Sequence, residues 1–205
     1  WMEALLQLES PEQRQQQFTE LLAAKPSPGT RSFVIHRKAE FEASQSNPVA
    51  FPELLGFAEN PEDRREVAAF WVEALEKLKN PQRQTEGYGS LAENPVVVQE
   101  SALVPTRQYA LARLAELRAE SGVLERFPEL LSETKDSRTR RYIAETWLSH
   151  VAQREDSALQ KGEYEKMLGQ SGADLQELRS AALLKLAALH AQDGEPEAFP
   201  ELLKS

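Results

Sequence analysis

The sequence predicts an all-α protein: a right-handed α-solenoid of about five helical hairpins, arranged as tandem double units in one domain spanning residues 1–205. Three observations carry that expectation. The word FPELL occurs three times, at Phe51 to Leu55, Phe127 to Leu131 and Phe199 to Leu203. The first two copies are 76 residues apart, and sliding the whole chain by that offset lays Arg64-Arg65 on Arg140-Arg141, Ala68 on Ala144, Trp71 on Trp147 and Tyr88 on Tyr164. No stretch shows the apolar–polar alternation of a half-buried strand.

The second and third copies of FPELL are 72 residues apart, and that offset lays Arg107 on Arg179, Ala110-Leu111 on Ala182-Leu183 and Leu114-Ala115 on Leu186-Ala187. Trp1-Met2-Glu3-Ala4-Leu5 matches Trp71-Val72-Glu73-Ala74-Leu75, so Trp1, Trp71 and Trp147 mark one position of a unit of 70 to 76 residues. The unit is itself double. Arg31, Arg65, Arg107, Arg141 and Arg179 are spaced by 34, 42, 34 and 38 residues. The third, seventh and tenth residues after each arginine are mostly apolar, as in Ala68, Val72, Leu75 and Ala144, Leu148, Val151. At about 100° per residue these offsets share one helical face. The first set, Val34, Lys38 and Phe41, is degraded, which marks a weaker or terminal repeat.

Taken in order, a helical fragment is expected at 1–9, and long helices near 30–43, 61–79, 100–120, 136–154 and 173–191. Short helices are expected near 11–24, 49–58, 84–92, 123–133, 157–169 and 196–204. FPELL begins three of these: its Phe, Leu and Leu at i, i+3 and i+4 share a face. Its proline suits a first turn, where the amide is unpaired anyway, and its glutamate complements the helix dipole. Lys25-Pro26-Ser27-Pro28-Gly29 and Ser44-Gln45-Ser46-Asn47-Pro48 punctuate the chain, and Gly87-Tyr88-Gly89 reads as a connecting turn. Pro105 is expected to start its helix and Val96-Val97-Val98 to form a separate turn. The repeats then fall near 1–24, 25–58, 59–93, 94–133, 134–170 and 171–205. Because Trp1-Met2-Glu3-Ala4-Leu5-Leu6 already reads as helix, the chain is expected to be a fragment of a longer array.

Asn60-Pro61 with Arg65 and Ala68, Asp136 with Arg141 and Ala144, and Asp174 with Arg179 and Ala182 resemble the first helix of a HEAT-type repeat. That family places Asp or Asn, then arginine five residues on, then alanine. A Leu-Leu-bearing second helix, here FPELL, closes the preceding repeat. The resemblance covers most of the chain and marks a fold rather than an activity. It implies a curved solenoid whose second helices line the concave side and bind an extended protein partner. The mean period of 37 residues is close to the tetratricopeptide length, but the Trp71 and Trp147 helices lack that family's Trp, Leu-Gly and Tyr pattern.

Composition narrows the function. The net charge of −9, from 33 acidic and 24 basic residues, disfavours general nucleic-acid binding. The chain has no cysteine, which removes thiolate chemistry and disulfides. His36, His150 and His190 fall on different helices, with no HExxH spacing, and Gly87-Tyr88-Gly89-Ser90 lacks a phosphate-loop lysine. No GxSxG elbow anchors a hydrolase triad. No metal or cofactor is implied.

The expected function is therefore a non-enzymatic protein-interaction scaffold, in a compartment the sequence leaves open between cytoplasm and periplasm, with no membrane contact. Its candidate partner-binding residues are the FPELL glutamates Glu53, Glu129 and Glu201, set to attract a basic segment, followed by Trp71 and Trp147 as an aromatic row. Each has a plainer reading: dipole complementation for the glutamates and packing between repeats for the tryptophans. Arg65, Arg107, Arg141 and Arg179 read as a ladder bridging neighbouring repeats, and Lys135, Arg138, Arg140 and Arg141 form the densest basic cluster. An enzyme or lyase-like chaperone subunit on a helical-repeat fold is the first alternative. Nucleic-acid binding through the arginine row is the second.

Overall fold

The computed structural model describes residues 10–195, and these form eleven α-helices joined by short turns, with no strand among them. Trp1, Glu201 and the third FPELL lie outside the described residues. The helices are α1 (Pro11–Ala23), α2 (Pro28–Ser44), α3 (Phe51–Phe57), α4 (Pro61–Glu76), α5 (Pro81–Glu93) and α6 (Pro95–Gln99). They continue with α7 (Val104–Glu120), α8 (Phe127–Glu133), α9 (Ser137–Ala152), α10 (Ser157–Leu168) and α11 (Gln176–Gln192). The chain divides into two compact units between Ala110 and Leu111.

Local chemistry sets the starts. Asn60 and Asp136 cap α4 and α9 by accepting the amides of Asp63 and Thr139, each at 2.8 Å. Asn80 and Asp156 do the same for α5 and α10, at 3.1 Å each. These are first-turn amides that no backbone carbonyl can reach. The bounds of α2, α3 and α4 return as those of α7, α8 and α9 with 76 added throughout. The bounds of α7 return as those of α11 with 72 added. The same succession of elements is thus written more than once at the offsets read from the sequence.

In unit 1, α2 and α4 lie side by side and run parallel. Ser32 donates to Asp63 near their starts, and Lys77 Nζ reaches the Ala43 carbonyl at 3.4 Å near their ends. The FPELL helix α3 packs on α4 through Phe51, Leu54 and Leu55, all buried. In unit 2, α8 packs on α9 through the matching Phe127, Leu130 and Leu131. The glutamine that opens each next helix also repeats its bond: Gln84 Nε2 donates to the Leu75 carbonyl at 3.1 Å, and Gln160 Nε2 to the Val151 carbonyl at 3.2 Å. Lys38, on the core face of α2, is buried with its amine 3.1 Å from Thr19 Oγ1.

Two local expectations need correction. Gly87-Tyr88-Gly89 is not a connecting turn but the interior of α5. Burial of Tyr88, Leu91 and Ala92 on one face outweighs the poor helix propensity of the glycines, and Gly87 is where the Leu75 side chain presses closest. Val96-Val97-Val98 is helical, within α6, because Asn94 Oδ1 accepts the amides of Val96 and Val97 and opens a helix there.

Candidate functional site

Trp71 and Trp147 are core residues, exposed to 1% and 0%, so the expected aromatic row on a binding surface is replaced by a pair of buried stacks. Phe51 stacks on Trp71 with centroids 6.1 Å apart and an interplanar angle of 11°. Phe127 stacks on Trp147 at 5.6 Å and 22°. The phenylalanine of FPELL is therefore the partner of the tryptophan twenty residues downstream in both units. Burial follows from the register, since Val67, Trp71, Ala74 and Leu75 form one i, i+4, i+7, i+8 stripe.

The FPELL glutamates point the other way. Glu53 and Glu129 are exposed, while the Phe, Leu and Leu of each word are buried. Glu129 meets Arg126 at 3.0 Å, one turn back on its own segment. Glu53 has no ion pair among the described residues. Glu201 lies outside them.

Two bridging arginines, Arg64 and Arg140, stand one residue before expected members of the ladder, while the expected Arg141 also bridges, to Glu177 of α11. Arg64 Nε donates to the Ala58 carbonyl at 2.9 Å, and its Nη1 meets Glu100 at 2.7 Å. Arg140 donates to the Leu131 carbonyl at 2.7 Å, the Ser171 carbonyl at 2.7 Å and Asp174 at 2.8 Å. Arg65 instead folds back on the Pro61 carbonyl of its own helix, at 3.3 Å. Arg141 pairs with the exposed Glu177 and Glu145. Among the expected ladder residues, Arg107 does donate to a carbonyl of the preceding segment, that of Ala92, at 2.9 Å. The signal for Arg64 and Arg140 was present in the sequence: each lies three and four residues before a buried pair, Val67-Ala68 and Ile143-Ala144, and so extends the core stripe by one turn.

The histidines are engaged locally. His36 Nδ1 lies 2.8 Å from Glu66, with Phe70 edge-on to its ring at 5.3 Å. His150 Nδ1 lies 3.0 Å from the Thr146 carbonyl, and His190 Nδ1 lies 2.7 Å from Glu195. Among the described residues no group of three or more acidic or imidazole side chains is placed to hold a metal ion.

Beneath the similarity of the two tryptophans lies one difference. Trp147 Nε1 donates to Glu163 at 3.0 Å, and Glu163 also receives Lys166 at 2.6 Å. Trp71 Nε1 is equally buried and has no hydrogen-bond partner among the described residues. At the 76-residue offset Glu163 corresponds to Gly87. A cavity of about 550 Å³ lies here in unit 1, lined by Trp71, Gly87, Pro48, Val49, Leu78 and Arg83 among others.

No protein-family model matches the chain, and no curated protein or solved structure gives a significant match. No helix among the described residues is long and apolar enough to cross a membrane.

Proposed function

We propose that the protein is a non-enzymatic interaction scaffold, a HEAT-like solenoid of tandem helical hairpins. In this reading the chain holds an extended, basic segment of a partner protein along the helices that begin with FPELL. The observation that supports it is the divided character of that word. Both described copies spend Phe, Leu and Leu on the core and turn the intervening glutamate to solvent. A repeated helix that displays one charged side chain at each repeat gives a regularly spaced set of contacts to an extended chain. Acidic residues at such sites attract a basic segment and set its register, with modest energy per contact.

The test begins with affinity capture of the native partner by the intact chain. Its binding is then measured against the triple reversal Glu53→Lys, Glu129→Lys and Glu201→Lys. At about 0.5–1 kcal/mol per exposed ion pair, the three together weaken binding by roughly one to two orders of magnitude at low salt. Unchanged affinity removes the glutamate row from the interface.

A further inference from the structure

The two tryptophan sites differ by a small set of substitutions that act together. In unit 2 the indole N–H of Trp147 is satisfied from within by Glu163 of α10. In unit 1 the position of Val151 is held by Leu75 and that of Glu163 by Gly87. A Cβ on Gly87 would collide with the Leu75 δ-methyl, so the internal carboxylate is both missing and sterically barred. A second filler is lost as well. Arg154 of unit 2 lays its guanidinium against the corner at Gly122, whose φ is +79°. The corresponding pair in unit 1 is Leu78 and Ser46, with Ser46 at φ +52°. Where unit 2 has two long charged side chains, unit 1 has the 550 Å³ cavity, and the N–H that Glu163 would have taken is buried without a partner among the described residues.

A buried donor left unsatisfied carries its full desolvation penalty, which an incoming acceptor recovers. The cavity is in the volume range of small-ligand sites, about 300–1,000 Å³, and its walls are mixed, with Ser46, Asn47, Arg83, Glu86 and Ser90 set among apolar residues. Pro48, Val49 and Leu78 supply the apolar surface, and Val49 is 83% exposed. Arg83 stands at the rim, and no side-chain partner engages its guanidinium among the described residues. Glu86 is also at the rim, held by Gln82 at 3.1 Å, and opposes Arg83 there.

We propose that this cavity is a ligand site for a carboxylate on a short apolar stem, captured by the Trp71 indole N–H and the Arg83 guanidinium in the way that Glu163 is captured by Trp147 and Lys166. Two sources carry that chemistry: a free carboxylic acid, and the glutamate side chain of a peptide segment. Because Nε1 is covered, capture includes a local side-chain shift. The site is independent of the glutamate row and stands whether or not that row binds a partner.

The indole N–H signals of the three tryptophans report on it directly by ¹H–¹⁵N NMR, with Trp71→Phe identifying the relevant one. The intact chain is titrated to tens of millimolar with 4-methylpentanoate, and separately with a capped pentapeptide carrying one glutamate between valines. Each has its amide counterpart as control. The expected result is a saturable movement of the Trp71 signal with a carboxylate and not with its amide, while Trp147 stays still. Arg83→Gln weakens the response roughly two- to fivefold. The stronger arm names the source. The double variant Leu75→Val/Gly87→Glu transplants the internal carboxylate, and its Trp71 signal is expected to be shifted from the start and unresponsive. The proposal is overturned by a Trp71 signal that ignores both carboxylates, or that moves equally with the amides. These two outcomes need no variant to fold.

Discussion

At Trp147 a single carboxylate serves two donors, the indole N–H at 3.0 Å and Lys166 at 2.6 Å, in a position only 6% exposed. Removing it leaves a buried donor unpaired, so Glu163→Ala is expected to lower the stability of unit 2 by about 1–3 kcal/mol. Glu163→Gln keeps an acceptor in place and should lose less. Chemical denaturation of the two variants against wild type checks the order, and equal losses would assign the cost to packing instead. The neighbouring phenylalanine answers to a different force. Phe127 is fully buried and stacked, so Phe127→Ala is expected to cost about 3–5 kcal/mol, while the exposed Glu129→Ala two residues on should change stability by less than about 0.5 kcal/mol. That contrast between the first and third letters of one word is the residue-level statement of the proposed fold and function.

Among the elements, α4 and α9 show how a start is fixed. Asp136 accepts both the amide and the hydroxyl of Thr139, and these bonds hold its carboxyl below the usual aspartate value. Asp136→Ala is expected to lower the thermal unfolding midpoint, and Asp136→Asn, which keeps a capping oxygen, to lower it less. The α10–α11 pair is closed by charge. Lys161 meets Asp193 at 2.7 Å and Glu195 at 2.6 Å. Its hydrogen bonds lower both carboxyls, with Ser157 helping at Asp193 and His190 at Glu195, while Asp193 and then Glu195 raise the lysine. A lowered carboxyl contributes stability above its unfolded pKa and loses it as pH falls through the folded one. The raised lysine contributes below its unfolded pKa and loses it as pH rises through the folded one. The clasp is thus at full strength between the ordinary carboxylate values of 3.8 and 4.5 and the ordinary lysine value of 10.5. Hydrogen exchange near Gly194 should accelerate below about pH 4 in excess of the intrinsic rate. Lys161→Met should show that excess already at neutral pH.

For the whole molecule, the net charge of −9 shapes what approaches it, and the exposed FPELL glutamates are part of that field. Binding of a basic partner should fall as salt rises, and should fall less steeply once the glutamates are reversed. Much of the architecture was legible because it is periodic. The 76-residue offset located α2 to α4 and α7 to α9, and the i, i+3, i+4 spacing inside FPELL assigned its buried and exposed letters before any coordinates. The site was legible only in part. Trp71 and Trp147 are equivalent by the 76-residue offset but lie six residues after the arginine, outside its third, seventh and tenth positions, whereas the Val67, Ala74 and Leu75 register puts Trp71 at the centre of the core stripe. Arg65 and Arg141 were preferred over Arg64 and Arg140 for the same reason: neighbours in the chain face about 100° apart, and only packing decides which faces inward.

The sequence by itself determined the helical class, the 76-residue offset and the recurrence of FPELL and of tryptophan, because hydrophobic periodicity and capping act over a few residues. Only the tertiary structure decided that Trp71 and Trp147 are buried, that Gly87-Tyr88-Gly89 is helix, and that one of these two indole N–H groups lacks an acceptor among the described residues. Those outcomes depend on groups meeting across helices, Leu75 against Gly87 in one unit and Trp147 against Glu163 in the other. A linear alignment records such pairs as separate substitutions, and only their contact in space gives them a common consequence.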